Sequence, residues 1–283
     1  MDDSKKSVSE KMEKLQREAY VSGKGIDIKA TMQLDLIFPT IGSSRTRTIP
    51  NDYARSSLFT ARSSRQPRLV LLREQLFHLH DGVTVFFTGT ELRAADDEIV
   101  WLQILHYGKS VPLGESVEFS IKDLVRDVGW PKNGVYYQKA RDCISRLKAS
   151  EVLVQNSGAY GSSGAISLID KYAVSNDRHG SPTNYRVVID TNLIALFAGS
   201  TFTHHRWDEY RSLSPVARRL ADYVDSHKTP FPLYLERFGK MCGTRSQSVK
   251  AWAGTVRSAC RELETAGMVK QCQLHEKRIY TVR

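Results

Sequence analysis

Two stretches of this chain, separated by about 115 positions, carry the same apolar pattern, and that duplication limits the possible folds more than any other feature. Phe119-Ser-Ile-Lys-Asp-Leu-Val-Arg-Asp-Val-Gly129 lies on Leu233-Tyr-Leu-Glu-Arg-Phe-Gly-Lys-Met-Cys-Gly243. Ile121 falls on Leu235, Leu124 on Phe238, Val128 on Cys242 and Gly129 on Gly243. Each stretch reads as a short strand feeding a helix that a glycine closes. After a turn of unequal length, Tyr136, Ala140, Ile144, Leu147 and Val152 fall on Trp252, Val256, Cys260, Leu263 and Met268. Their spacing marks one face of a helix. In both halves that helix runs into a β-prone segment, Val152–Gln155 and Met268–Gln271, expected to open a hairpin.

A further helix precedes each copy. In the first half, Asp96, Asp97 and Glu98 place negative charge at the start of a helix running to about Tyr107. Ile99, Val100, Trp101, Leu102, Ile104 and Leu105 make it apolar nearly all round, so it should be buried. In the second half, Ser214 suits an N-cap and Pro215 the first helical position, with Val216, Leu220, Tyr223 and Val224 facing inward. Helix, short strand, helix, longer helix, hairpin is the order of a winged helix. A generic three-helix unit with a hairpin and no DNA role has the same order. The expected fold class is α+β: two tandem winged-helix domains behind a flexible basic N-terminal leader. The length of 283 residues is enough for about two domains with their own cores.

The expected boundaries are residues 1–68 for the leader, 69–200 for the first domain and 201–283 for the second. Within the leader, Lys11–Ala19 could form a short helix that Gly23 and Gly25 stop. From Arg45 to Arg73 there are seven arginines against one acid, Asp52, which reads as a basic arm following phosphates or as a solvated linker. Phe77–Phe87 looks like two strands around an Asp81-Gly82 turn. Ile166–Val174 and Tyr185–Asp190 alternate as strands do, between Gly- and Ser-rich turns, and Leu193–Phe202 reads as a buried connection.

With 41 Lys and Arg against 31 Asp and Glu, the net charge of +10 argues for an anionic partner. A composition of 41% hydrophobic and 25% charged residues is that of an ordinary globular protein and excludes wholesale disorder. No apolar run approaches the roughly 20 residues of a membrane span, and the first thirty or so positions lack a secretion signal's apolar core. The four cysteines show neither CxxC nor zinc-type spacing, which suits reduced thiols in a cytosol.

A winged helix places its third helix in the major groove, about 12 Å wide. In the second half that helix is expected to begin near Ser246, with Val249, Trp252, Val256 and Cys260 facing inward. Arg245, Ser246, Gln247, Lys250 and Arg257 then offer base or phosphate contacts, and Gly254 permits close approach. Lys277 and Arg278 sit at a hairpin tip. In the first half Lys132, Asn133, Tyr136 and Lys139 occupy the corresponding place. Tyr136 aligns with Trp252, so core packing is its alternative role, and Asp142 weakens that face. Any of these positions could instead be a solvated surface residue.

Three longer runs resemble one family. Pro50-Asn-Asp-Tyr-Ala-Arg-Ser-Ser-Leu-Phe-Thr60, Phe87-Thr-Gly-Thr-Glu-Leu-Arg-Ala-Ala-Asp-Asp-Glu-Ile-Val-Trp101 and Arg206-Trp-Asp-Glu-Tyr-Arg-Ser-Leu-Ser-Pro-Val-Ala-Arg218 look like the TrfA-type plasmid replication initiators. The resemblance covers roughly Gln33 to Arg283. It implies a cytoplasmic bacterial protein that binds double-stranded origin repeats (iterons) as a monomer through two winged helices. It also implies opening of adjacent AT-rich DNA, with single-stranded origin DNA as a possible ligand, and recruitment of the host initiator DnaA and the replicative helicase. Dimers are implied to be the inactive, copy-control form. In that context Gln33-Leu34-Asp35-Leu36-Ile37-Phe38 resembles the QLxLxF peptide that docks on the sliding clamp. Leu36 and Phe38 would fill an apolar pocket, with Gln33 hydrogen-bonding at its edge and Leu34 between them. The same alternation fits an edge strand.

Other chemistry is less well supported. His78 and His80 have the His-hydrophobic-His form of an origin-nicking endonuclease, and on a strand they would share one face for a metal. No third ligand stands out. There is no P-loop, GxSxG elbow or Cys/His dyad, so neither an enzyme activity nor a cofactor or metal is expected. A transcriptional repressor with two winged helices remains open, and the clamp-like peptide argues against it.

Overall fold

Folded structure is already present at Thr46, ahead of the expected start near Leu69. The computed structural model describes residues 45–109, 111, 114–156, 165–178, 180–190, 202–244 and 248–283. β1 (Thr46–Pro50) leads into the one-turn helix α1 (Asn51–Ala54) and then β2 (Phe59–Thr60). Ile49, Tyr53, Ala54, Leu58 and Phe59 all enter the core. The expected flexible arm is therefore corrected: residues 46–60 are part of the fold. Arg47 donates to Gln103 Oε1 at 3.0 and 2.8 Å and stacks 4.7 Å from the Trp207 ring. Arg62 pairs with Glu91 at 2.8 Å, and Arg68 with Asp96 at 2.9 Å and Asp97 at 2.6 Å. The reason is charge balance inside the protein. Glu91, Asp96 and Asp97 are buried and need cations, so these guanidinium groups turn inward. The proposed short helix at Lys11–Ala19, the clamp-like peptide and residues 193–201 lie outside the described residues.

β3 (Val70–Leu76) and β4 (Val83–Thr90) pair antiparallel, and β5 (Leu92–Arg93) runs parallel to β2. Asp96 then caps α2 (Asp97–Gly108), its carboxylate accepting the Asp97 N–H at 2.9 Å. Nearly every residue of α2 is buried, as its lack of a polar face requires. β6 (Ser116–Ser120), α3 (Ile121–Asp127) and α4 (Gly134–Lys148) follow. Ser120 caps α3, and Gly129 ends it with φ +81. Ala140, Ile144 and Leu147 form the buried stripe of α4.

The segment after α4 departs from expectation. β7 (Glu151–Asn156) does not open this unit's hairpin; it joins β4, giving the order β3-β4-β7. Val152 and Val154 alternate inward opposite Phe87 and Val85, so burial on a sheet already present decides their partner. The hairpin is instead β8 (Lys171–Asn176) with β9 (Pro182–Val188), and β6 adds to β9 in the order β6-β9-β8.

The second copy opens with β10 (Phe202–Arg206) and α5 (Trp207–Ser212). Ser214 caps α6 (Pro215–Asp225), with Pro215 at its first position. β11 (Leu233–Tyr234), α7 (Leu235–Met241), α8 (Val249–Thr265), β12 (Gln271–His275) and β13 (Arg278–Val282) complete it. Its sheet runs β11-β13-β12, the same relation as β6-β9-β8. All three apolar pairs of the first repeat match, from Ile121 and Leu235 to Val128 and Cys242, are buried. Gly129 and Gly243 both have positive φ.

The copies are joined rather than merely adjacent. β1 pairs antiparallel with β10 along five residues. β10, just past the expected boundary at 200/201, thus pairs with a strand from the expected leader. Arg219, fully buried on α6, donates to Ala54 O at 2.8 Å and Ser56 O at 2.6 Å, and also pairs with Glu98 of α2 at 2.9 Å and with Asp222. His205 lies 2.9 Å from Asp222 and 3.0 Å from Asp225. The Tyr210 hydroxyl donates to Asp222 at 3.0 Å.

Candidate nucleic-acid interface

α8 starts where Ser248 Oγ accepts the Ala251 N–H at 3.1 Å. The start near Ser246 is therefore corrected to Val249, with Ser248 as N-cap. Arg245, Ser246 and Gln247 lie outside the described residues. A second correction concerns Val249. Val249 is not inward; it is 65% exposed, because the buried stripe begins one turn later at Trp252. Lys250, Gly254 and Arg257 are exposed on the outer side, and a Cβ at Gly254 would meet nothing within 4 Å.

The tip between β12 and β13 lies beside this helix. Glu276 and Lys277 have φ of +44 and +62, the twist that a two-residue antiparallel turn requires. Lys277 is exposed, whereas the Arg278 guanidinium stacks 4.5 Å from the Tyr234 ring and donates to its hydroxyl at 2.6 Å. Between the helix and the tip runs a shallow cleft of about 400 Å³. Leu235, Ala253 and Leu274 line it beside Val249, with Lys250, Arg257, Glu276 and Lys277 around it.

In the first copy Lys132 and Asn133 are exposed at the start of α4. Asn133 is also the N-cap, its Oδ1 accepting the Tyr136 N–H at 3.2 Å. Tyr136 is half-buried with its ring 5.9 Å from Trp130, so it is neither core nor free surface. The Lys139 ammonium lies 4.4 Å from the Trp130 centroid, a cation–π contact. The sequence did not single out Trp130, nor Ala253 and Leu274 of the cleft.

The helix ends differ in charge. Among the described helices of eight or more residues, α2 carries Asp97 and Glu98 in its first turn. α6 meets a carboxylate from elsewhere: Glu262 accepts the Ser214 N–H at 2.7 Å and its hydroxyl at 2.9 Å. α4 and α8 have no acid in their first turns. Their exposed N–H groups and positive dipole ends therefore suit an anion.

The remaining titratable groups serve the interior. His78 and His80 lie between β3 and β4, not on one strand face. His78 Nδ1 accepts the His80 N–H at 3.0 Å, and His80 Nε2 lies 3.0 Å from Arg55. Among the described residues Asp96, Asp97 and Cys143 lie close enough to share a metal. Arg68 and Arg146 already pair with those carboxylates, so the cluster reads as an ion-pair network. Burial, with the Asp96 charge, pushes Asp97 up to about 6. Burial and Asp222 push Glu98 up to about 7 against the pull of Arg219. All four cysteines are buried and free.

A family model described as TrfA protein matches residues 3–283. The chain belongs to the TrfA family. This TrfA-family chain is 41% identical over 252 residues to Plasmid replication initiator protein TrfA of Escherichia coli. That match covers 89% of this chain and 65% of the relative, so the chain spans less than two thirds of the relative's length. The fold is similar to a crystal structure of domains 2 and 3 of RctB, with a TM-score of 0.52 at 12% identity, covering 76% of this chain and 85% of that one. A second structure of RctB domains 2-3 gives 0.50 at 10% identity, covering 75% and 83%. These likenesses speak to the mixed helix and strand fold of the TrfA-family chain. Among the described residues, no helix is long and apolar enough to cross a membrane.

Proposed function

We propose that this chain initiates plasmid replication by binding origin repeats as a monomer through two winged-helix modules, α2–β9 and α6–β13. In this reading α8 enters the major groove and the β12–β13 tip follows the adjacent strand. Lys250, Arg257 and Lys277 hold phosphates or base edges, with Arg245, Ser246 and Gln247 extending the contact. α4, with Lys132 and Asn133, serves as a second, weaker contact. The protein acts by binding and recruitment, not by cutting DNA. DnaA, the replicative helicase and, through Gln33–Phe38, the sliding clamp are its proposed partners, and a homodimer is its proposed inactive form.

The observation that carries this reading is that the third helix of each duplicated unit is left with an acid-free first turn beside exposed lysine. Family membership supplies the biological setting. The test is fluorescence anisotropy on a duplex of origin repeats and on its scrambled counterpart, over a salt series. The expected result is preference for the repeats, with affinity falling linearly in log salt. Lys250→Ala and Arg257→Ala should each lower that slope by about 1, or cost about 1–3 kcal/mol where a base is contacted. Equal affinity for both duplexes would refute sequence-specific initiation.

A further inference from the structure

Among the described residues, the large apolar side chains exposed on helices are Val135 and Val249, 75% and 65% exposed. Both occupy the first turn of the third helix of a duplicated unit. Neither is needed for the buried stripe, which starts later in each helix. An exposed branched aliphatic side chain in a first turn gives no capping benefit and leaves apolar surface in water. The two are not equivalent positions, since Val135 lies one residue before Tyr136 and Val249 three before its counterpart Trp252, and Val249 is the one that borders a cleft.

The surroundings of Val249 narrow the ligand. Its neighbours in the cleft are apolar on the floor (Leu235, Ala253, Leu274), and three of the four polar side chains at the rim are cations. The fourth, Glu276, sits at the turn. The ligand is thus anionic overall and presents a small hydrocarbon group at the helix end. In a duplex major groove, the one apolar group on any base edge is the C5-methyl of thymine. The first residues of a groove-entering helix are those that reach base edges.

We infer that Val249 is a specificity-determining residue that packs on a thymine methyl, so that this chain prefers an A·T pair at one fixed position of its site. The inference rests on the DNA-binding reading and deepens it. The deoxyribose face is the other hydrocarbon surface available, and the experiment separates the two.

Binding sites are selected from a randomised duplex pool with the wild-type chain. Each thymine of the enriched site is then replaced singly by deoxyuridine, which removes the methyl and nothing else. Affinities are measured for wild type and for Val249→Ala, with Val249→Thr as a variant that keeps the branched shape and one methyl. At one position the wild type should lose about fourfold on losing the thymine methyl, as expected for one buried hydrocarbon group. Val249→Ala should bind thymine and deoxyuridine sites equally there, and Val249→Thr should fall between. A Val249→Ala variant as methyl-sensitive as the wild type at every position overturns the inference. So does a weakened Val249→Ala variant alongside a wild type that ignores all thymine methyls, which would assign the valine to sugar. A pool with no enriched sequence would overturn the DNA-binding reading itself, a different result from either.

Discussion

Arg219 is the residue whose loss should be felt most. Its guanidinium is fully buried and bridges Glu98 of α2, Asp222 of its own helix and two carbonyls near α1. Arg219→Met keeps most of the side-chain bulk but strands two buried carboxylates and two acceptors. Breaking a buried ion pair from one side costs about 3–5 kcal/mol, against a total stability of about 5–15 kcal/mol for a folded domain. Glu98 limits the penalty, because a carboxyl already pushed up to about 7 can take up a proton and become neutral. Asp222 cannot escape so cheaply, since His205 and the Tyr210 hydroxyl still hydrogen-bond to it and favour its charged form. Urea unfolding followed by tryptophan fluorescence measures the loss, with Trp101 and Trp207 close to the junction. Adding Glu98→Gln to Arg219→Met should restore part of the stability by removing one orphaned charge. A loss below about 1 kcal/mol would refute the reasoning, because the cluster would then have to be hydrated rather than buried.

His205 gives a pH dependence. Burial alone would lower its pKa, but its bonds to Asp222 and Asp225 outweigh that and raise it to about 9. A folded-state value above the unfolded one near 6.5 means that its stabilisation is full below about 6.5 and is lost as pH rises through 9. His205→Gln should flatten the fall in urea midpoint over that interval. Gly243 has φ +64, and a Cβ there would sit 2.6 Å from Thr60 Cγ2. Gly243→Ala should therefore destabilise by about 1–3 kcal/mol in thermal or urea unfolding. Gly129→Ala should cost less, since its clash is with the movable end of Arg211. Leu36→Ala with Phe38→Ala should abolish pull-down by the sliding clamp and leave repeat binding intact; unchanged pull-down would remove the clamp from the proposed partners.

What the sequence made legible was whatever depends on local apolar spacing. The duplicated stripes, the Ser214 and Pro215 start and the buried α2 all follow from residues a few positions apart. What it hid depends on distant partners. Glu98 looks like a helix-dipole residue until Arg219 reaches it from 121 positions away. Arg47, Arg62 and Arg68 look like an arm because their acceptors lie in later segments. Val152–Gln155 and Met268–Gln271 are alike in pattern, yet the first lies within β7 beside β4, whereas the second reaches a strand only at Gln271, where β12 begins. At the interface, Val249 lies three residues before Trp252 and so shares its face in the spacing, and nothing local shows that this face is uncovered in the first turn.

The seam where β1 meets β10 and Arg219 meets Glu98 has a geometrical consequence. The two helix ends are carried by copies tied together at that seam. A duplex contacted by both must present its two footprints at one separation and on one angular face. Inserting about five base pairs, half a helical turn, between those footprints would carry one of them to the far side of the rod. Adding a whole turn would bring it back to the right face but out of reach.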